Sequence, residues 1–508
     1  MRERSQPKQS ARNIMPLKGK LFETAGPFLN RSIFVLRKDR VQTTAAIAIS
    51  ILLLLMGFPQ PNIDDVWYVD PAINLATEGT LVAPALRNVT DAFASPRFLL
   101  NVPFHVWLLA FWLKITGVSS FALCAFQVSA MLAAALSQKT ILRHFKIDTI
   151  IWWPILVALI AFSNRAGLRP EVMALALGYV GMVIMLPGTI IRLILGMLLG
   201  ASAILTSLNS LPFIVVLYVA TILGIKGEGI PPRDWLRRVA LAGAVSFLLS
   251  GFLFYLAIQG DLRGFKEQIT AMVQCRAGGI GESLQVFVSY FSTPVGWKTF
   301  VPIYLLYLAT IIIFFTRLWG DAPRVVRATV IASMAGLMVA LAYRANAAFS
   351  QCWPYLFTAI LVVGSSLRTR VMRMFLVAIT VLALAWAETP TVAGVVFAEK
   401  PNEENFSKLR SEINNHTGSV AVDEYAARFV FDYNLPPGAV SYYHQHALPN
   451  YGPSLHRKER SQLWMVAKHN LRFCNDCPQS ALPRLQVGRF KFRSAIKDPY
   501  DIVLFPTQ

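Results

Sequence analysis

Two neighbouring carboxylates, Asp64 and Asp65, follow the first long apolar segment directly, and Trp67 and Tyr68 come soon after them. Adjacent acids repel each other, which keeps one of them basic or lets both hold a divalent cation. The competing interpretation is structural: the acids begin a helix, and the two aromatic residues anchor it at a membrane surface. The residues alone are equally compatible with either interpretation.

The segments that must position these acids are apolar enough to lie in a membrane. Hydrophobic residues make up 55% of the 508 and charged residues only 15%, with a mean hydropathy of +0.49. Runs of very low charge at 43–58, 120–135, 241–258 and 301–315 approach the ~20 residues with which a helix spans a bilayer. The sequence therefore predicts a polytopic α-helical membrane protein with about eleven transmembrane helices.

The distribution of charge predicts the orientation of these helices. The formal net charge is +20, but Lys and Arg cluster in short links between apolar runs, which is typical of cytoplasmic loops, so no nucleic acid partner is expected. Residues 1–40 are predicted to be a basic cytoplasmic tail, too polar at its start for a cleaved signal peptide. The first span, 41–58, then runs outward, and 59–119 becomes the first outer loop.

One apolar segment, 99–115, conflicts with this orientation if it is counted as a span. It would then place the basic residues of 139–146 outside. A helix that lies along the outer surface resolves the conflict. The predicted transmembrane domain covers 41–388, and 389–508 follows outside.

Residues 389–508 are predicted to form an extracytoplasmic α/β domain. Cys474 and Cys477 lie in it, where an oxidising compartment favours a disulfide over a redox or zinc role. The predicted elements are helices at 403–415 and 424–433 and strands at 419–422, 439–443 and 501–505.

The pattern around the aspartates resembles the GT-C class of integral membrane glycosyltransferases, which includes the protein mannosyltransferase and lipid A aminoarabinose transferase types. In that class an acidic pair after the first span precedes a Tyr, a helix that ends in Gly, and a short stretch to a Pro. The matching residues are Asp64, Asp65, Tyr68, Gly79 and Pro84.

Two further motifs strengthen the resemblance, which covers about residues 41–190. The segment from Pro103 to Gly117 matches a proline-led, aromatic and leucine-rich surface helix, and Glu171 matches an acid at the start of a span after the second outer loop. The charged residue often found before the proline is replaced by Asn101 and Val102. We therefore assign no contact with the donor phosphate to these two positions.

The resemblance implies an inverting glycosyltransferase that moves a hexose or pentose from a polyprenyl phosphate to an acceptor hydroxyl. The acceptor would be an envelope glycan, a lipid or a protein. The protein would be a multi-pass inner-membrane protein, with its active site and its C-terminal domain extracytoplasmic.

By position in the motif, Asp64 is the candidate catalytic base, and Asp65 tunes it or binds the acceptor or a metal. The class contains metal-dependent and metal-independent members, so a divalent cation at Asp64 and Asp65 is the one cofactor left open.

Arginines suit the departing phosphate, because their planar guanidinium makes paired hydrogen bonds. Arg169 is the first candidate, and single arginines at such positions also snorkel to lipid headgroups. Glu171 would pair with Arg169, contact the acceptor or cap its helix, and His105 replaces an aromatic residue and is expected to pack. The full set of expected substrate-binding residues is Arg169, Glu171, Arg165, Arg344, Arg97 and Tyr68.

A transporter or flippase for a lipid-linked sugar is the alternative function. Such proteins place ionisable groups at mid-bilayer, often in repeated halves. Here the polar residues gather outside, which favours chemistry at the surface. The Gly-containing outer loop at 259–298 is interpreted either as a lid over substrate or as a connector.

Overall fold

The computed structural model describes most of the chain up to residue 382 and, beyond residue 419, the strands of one sheet. Residues 1–49 and 50–508 form two compact units, and the elements that follow the first helix all belong to the second. The described ranges are 40–59, 65–86, 93–100, 103–225, 230–276, 301–343, 353–367, 371–382, some isolated residues between them, and the five strands.

The described part up to residue 382 is helical. In chain order the helices are α1 Arg40–Leu55, α2 Val66–Glu78, α3 Phe104–Thr116, α4 Ser120–His144, α5 Trp152–Ala166, α6 Pro170–Met185, α7 Ile190–Thr206, α8 Leu211–Gly224, α9 Pro232–Ala257, α10 Leu262–Arg276, α11 Val301–Ile313, α12 Arg324–Tyr343, α13 Trp353–Ser365 and α14 Val371–Leu382.

Three of the described helical segments are long and apolar enough to cross a membrane: α4, α9, and α11 with the π turn Phe314–Leu318 that extends it. The expectation of a membrane protein is confirmed. The count of about eleven spans remains a prediction, since α1 and α5 to α8 have 14 to 17 residues each.

Helix α3 has the bounds of the surface-helix motif, Pro103 to Gly117, and is too short to span a bilayer. It begins at Phe104, not at Leu99, because Pro103 occupies the N-cap position. Its 13 residues rise about 20 Å, against a hydrocarbon core of ~30 Å. It ends at Gly117, whose φ is 82° and whose N–H donates to Leu113 O at 2.8 Å. The length of α3 therefore agrees with a helix that lies along the membrane surface.

Helices α2 and α3 pack on a shared hydrophobic core. The core includes Val66, Leu75, Phe98 and Leu109, each at most 7% exposed. Helix α2 ends at Gly79, where a φ of 72° suits glycine. Gly79 and Gly117 thus end α2 and α3, as the motif predicts. The core fixes the start of α2, and with it Asp65.

Helices α6 and α7 approach each other through glycines. A Cβ at Gly181 would collide with Tyr218 Oη and lie 2.7 Å from Gly196 O, and one at Gly196 would collide with Met185. Small residues let helix backbones pack closely in membranes. Helix α6, which begins beside the candidate site, is therefore firmly held.

Helices extend into two segments that join apolar runs. Helix α4 continues to His144, into the basic residues of 139–146, and Lys139 is buried with Nζ 5.7 Å from the Trp152 ring centroid. Helix α10 occupies the first part of the 259–298 segment.

The strands beyond residue 419 form one sheet of order β2-β1-β3-β5-β4, in which β1 pairs in parallel with β2 and β3, and β5 pairs antiparallel with β3 and β4. Strand β2 lies beside the short helix Pro84–Leu86, which follows α2. The strands are β1 Val420–Asp423, β2 Val440–Tyr443, β3 Leu463–Ala467, β4 Arg484–Gln486 and β5 Asp501–Pro506.

Three of the five strands match the sequence prediction, and β3 and β4 were not predicted. The predicted helix 424–433 and Cys474 and Cys477 lie outside the described residues, as does 403–415 except for the helical Ser411. The α/β domain at 389–508 and the other domain limits therefore remain predictions.

Candidate active site

Asp65 stands at the N-terminus of α2 and is 2% exposed. Its carboxylate makes no capping hydrogen bond to α2. Instead Oδ1 accepts a hydrogen bond of 2.8 Å from the backbone N–H of Leu168, in the turn between α5 and α6. Asp65 thus occupies the N-cap position of α2, but its side chain joins the start of α2 to the turn before α6. Asp64 lies outside the described residues.

The backbone of Leu168 makes a second contact, with His105 of α3. The Nε2 atom of His105 lies 3.1 Å from Leu168 O. Because a carbonyl oxygen only accepts, Nε2 carries the proton and donates. Burial lowers the pKa of His105 to about 4, although the hydrogen bond to Leu168 acts against it. The ring is thus neutral at pH 7, and the carbonyl and N–H of Leu168 connect α3 to α2.

His105 also packs between two aromatic rings. It meets the Tyr68 ring at right angles, with centroids 5.5 Å apart, and the Phe126 ring at 5.7 Å. Packing is the role expected for His105, but the hydrogen bond to Leu168 was missed. The signal in the sequence was the replacement of an aromatic residue by one that also carries an N–H. Tyr68 is buried against this ring, on the helix that Asp65 begins.

Arg169 and Glu171 form an ion pair at the start of α6. Arg169 Nη2 donates to Glu171 Oε1 at 2.9 Å, and Arg169 Nε donates to Oε2 at 3.3 Å. The side chain of Glu171 is 7% exposed and that of Arg169 is 21% exposed. Pro170 begins the helix, where its missing N–H costs nothing. Arg169 directly follows the Leu168 peptide that Asp65 and His105 hold, so its backbone position is fixed.

Arg97 belongs to a separate polar cluster. Its Nη1 lies 3.4 Å from Asp261 Oδ2, and its Nε donates to Gln259 Oε1 at 3.1 Å. Hydrogen bonds from Ser95 Oγ and from the N–H of Gly264 lower the pKa of Asp261 below its ordinary value. Asp261 therefore stays ionised and holds Arg97. A donor phosphate would have to compete with this carboxylate for Arg97.

Gln268 of α10 fixes the segment that carries Arg97. Its Oε1 accepts from the N–H of Leu99 at 2.7 Å, and its Nε2 donates to Arg97 O at 2.7 Å. The side chain is fully buried. Helix α10 is thereby attached to the segment just before α3. Nothing in the sequence marks this residue, since a single Gln in a polar segment has no distinctive pattern.

Two further predicted residues are arginines. Arg165 lies in the last turn of α5, and Arg344 lies outside the described residues. Within the described ranges, no group of three or more His, Cys, Asp or Glu residues could hold a metal ion. A cation at Asp64 and Asp65 remains a prediction.

No known family profile matches the chain, and no curated protein sequence matches it. Three solved structures of an archaeal oligosaccharyltransferase from Archaeoglobus fulgidus are similar to it. The complex with Zn and sulfate has a TM-score of 0.43 and 11% identity, over 82% of this chain and 68% of the other. The form tethered to an acceptor peptide with the NVT sequon gives 0.44 and 13%, over 83% and 69%.

The third structure is AglB in complex with an inhibitory peptide and a dolichol-phosphate, with a TM-score of 0.40 and 11% identity over 83% of this chain and 69% of the other. AglB is a GT-C glycosyltransferase, the class that the motifs of this chain resemble.

Proposed function

We propose that this protein is an inverting GT-C glycosyltransferase that transfers a sugar from a polyprenyl phosphate to an acceptor hydroxyl at the outer membrane face. The observation that carries the proposal is the turn at Leu168 and Arg169. The Leu168 N–H donates a hydrogen bond to the Asp65 carboxylate, and the next residue, Arg169, bears a guanidinium. One carboxylate of the acidic pair and a cation for the phosphate are thus attached to one short turn.

Asp65 is better suited to orient the site than to move a proton. Its Oδ1 is engaged by the Leu168 N–H, and its side chain is buried, so protonation would weaken a bond that holds two loops. Asp64 precedes it and has the motif position of the base. We assign the proton transfer to Asp64, and to Asp65 the fixed geometry together with the negative charge that keeps Asp64 basic.

The chemical step can be written with these groups. The acceptor hydroxyl gives its proton to the Asp64 carboxylate while its oxygen attacks the anomeric carbon from the side opposite the phosphate. The bond between the anomeric carbon and the phosphate oxygen breaks, and the sugar inverts. The leaving polyprenyl phosphate gains negative charge, which the Arg169 guanidinium stabilises through paired hydrogen bonds.

Glu171 has a defined part in this scheme. It holds Arg169 through two hydrogen bonds. The guanidinium has five N–H donors, so a phosphate can bind Arg169 through donors other than these two. Arg169 can therefore keep Glu171 and bind phosphate together, and Glu171 orients the fork rather than blocking it.

The test compares Asp64→Asn with Glu78→Gln. Both changes replace a carboxylate by an amide, and Glu78 is exposed at the end of α2. Lipid-linked sugars and envelope glycans are measured by mass spectrometry in cells that produce each variant, the unaltered protein or none. We expect the Asp64 variant to match cells without the protein and the Glu78 variant to match the unaltered protein, at equal expression.

Full transfer by Asp64→Asn would remove Asp64 as the base. A second measurement separates the proposal from the transporter alternative. Purified protein in vesicles receives a labelled lipid-linked sugar, and both its movement across the bilayer and new glycosidic bonds are followed. Movement without bond formation would overturn the proposed reaction.

A further inference from the structure

A groove of about 650 Å³ lies where the turn between α6 and α7 meets the first turns of α9. This volume is within the ~300–1,000 Å³ of small-molecule sites. The groove is separate from the residues of the candidate active site, and none of its walls is used in the proposed reaction. Its lining includes Gly188, Thr189, Ile190, Arg237, Arg238 and Leu241.

The turn that forms one wall is held by α9 itself. Gly188 has a φ of 70°, which suits glycine, and a Cβ there would be 3.6 Å from the ring of Trp235. Trp235 is 6% exposed, so the turn rests on a buried ring. Trp235 therefore fixes the distance between the turn and the arginines that follow it on α9.

The groove is cationic. Arg237 and Arg238 are exposed, and the only ion pair that either makes within the described part of the chain is Arg237 Nη1 to Asp234 Oδ1 at 3.9 Å. This pair is exposed on both sides, 68% and 53%, so it holds Arg237 weakly. Both guanidinium groups are available to an anion, and Arg presents the planar fork that suits phosphate.

The walls also carry apolar residues that face outward. Ile191 next to the groove is 67% exposed, and Leu241 in its wall is 58% exposed. Further along α9, Phe247 and Leu248 are 77% and 71% exposed. Only 17% of the most apolar stretch of this helix is buried. Helix α9 thus presents its apolar side to lipid, and the groove lies at the end of that side.

A positively charged groove at the end of a lipid-facing helix suits an amphiphile with an anionic headgroup. The apolar surface of α9 would lie beside the acyl chains, while the two arginines meet the phosphate. Anionic lipids attract basic residues near the membrane surface. The charge distribution predicts that this end of α9 is cytoplasmic, opposite the candidate active site.

We propose that this groove binds the headgroup of an anionic phospholipid of the surrounding bilayer. The arginine pair of α9 takes no part in the proposed glycosyl transfer, so lipid binding at this groove does not depend on that activity.

The experiment measures bound lipid on the full chain by native mass spectrometry. Purified protein in detergent is titrated with phosphatidylglycerol or, separately, with phosphatidylcholine. The test variant is Arg237→Gln with Arg238→Gln. The matched control is Arg317→Gln with Arg324→Gln, which removes two exposed arginines that the charge distribution also predicts to be cytoplasmic. Size-exclusion profiles check that each variant is folded.

We expect phosphatidylglycerol to bind more tightly than phosphatidylcholine, and the groove variant to weaken phosphatidylglycerol binding by roughly 10- to 30-fold. The control variant should keep most of the binding. Equal binding of the two lipids, or equal losses in the two variants, would overturn the proposal. If the double groove variant does not fold, Arg238→Gln alone is measured and should still lose several-fold.

Inorganic phosphate serves as a competitor in a second experiment, because it carries negative charge but no acyl chains. It should displace phosphatidylglycerol only weakly, since it cannot use the apolar side of α9. Efficient displacement by inorganic phosphate would show a site for free anions and would contradict a lipid site.

Discussion

Asp65 Oδ1 accepts a hydrogen bond of 2.8 Å from the N–H of Leu168, which lies 103 positions further along the chain. Both groups are buried. The carbonyl of the same residue accepts from His105 Nε2. The start of α2, the surface helix α3 and the turn before α6 thus meet at one backbone residue. Substitutions at Asp65 and at His105 test separate sides of this junction.

The first prediction separates the charge of Asp65 from its hydrogen bond. In Asp65→Asn the amide oxygen still accepts from Leu168 N–H, so we expect the free energy of unfolding to fall by about 1 kcal/mol. In Asp65→Ala the buried N–H loses this acceptor, and the loss should be about 1–3 kcal/mol. Thermal unfolding in detergent checks both values.

The two Asp65 variants should differ in stability but not in their loss of transfer activity. Both variants lose the negative charge beside Asp64, so glycan transfer should fall strongly in both, although Asp65→Asn is nearly as stable as the unaltered protein. An Asp65→Asn variant that is stable and fully active would assign Asp65 a structural role alone.

The second prediction concerns His105. His105→Phe keeps the aromatic contacts with Tyr68 and Phe126 but removes the donor to Leu168 O. It also removes the buried Nδ1, which has no hydrogen-bond partner within the described residues. These effects oppose each other, so the free energy of unfolding should fall by only about 1 kcal/mol. Transfer activity per folded molecule should fall, because Leu168 and Arg169 are less firmly placed.

Trp112→Phe is the matched control for His105→Phe. Trp112 Nε1 donates to Ala122 O at 2.8 Å, also from helix α3, but not to the turn at Leu168. We expect a loss of stability of about 1 kcal/mol with unchanged transfer per folded molecule. Equal activity losses in the two variants would mean that α3 acts only as packing.

The parts of the site that the sequence predicted depend on local conformation. Gly79 ends α2 because its φ of 72° favours glycine, and Pro103 and Gly117 bound α3 for similar local reasons. A single sequence carries such signals within a few residues. The motif order alone therefore predicted α2, α3 and the beginning of α6.

The parts that the sequence did not predict depend on partners far along the chain. Arg97 and Gln259 are 162 positions apart, and Leu99 and Gln268 are 169 apart. No local pattern joins them. Strand β3, with the sequence Leu-Trp-Met-Val-Ala, has no alternation of polar residues, and β4 has only three residues. Their identity as strands depends on pairing with β5.

The third prediction tests the close approach of α6 and α7. A methyl group in Gly181→Ala would collide with Tyr218 Oη and approach the backbone oxygen of Gly196. Backbone cannot yield easily, so the free energy of unfolding should fall by about 1–3 kcal/mol. Gly251→Ala is the control, because α9 has open space at that position and alanine favours helix. A Gly181→Ala protein that unfolds no earlier than Gly251→Ala would contradict the packing.

The fourth prediction concerns acid stability at the first outer loop. The pKa of Asp261 is lowered from 3.8, chiefly by the hydrogen bond from Ser95 Oγ and then by the Gly264 N–H. A lowered folded pKa means that the stabilisation is complete above the unfolded value and is lost as the pH falls through the folded value. Asp261→Asn should therefore lower the thermal midpoint at pH 6, and this difference from the unaltered protein should shrink below about pH 4.

Ser95→Ala gives a second measurement of the same contact. It removes the hydroxyl that donates to Asp261 Oδ2 at 2.5 Å, so the pKa of Asp261 should rise toward 3.8. The acid loss of stability should then be smaller than in the unaltered protein and should be complete at a higher pH. If Asp261→Asn and the unaltered protein differ equally at pH 6 and pH 3, the carboxylate does not supply the stability through its charge, and Arg97 is held in another way.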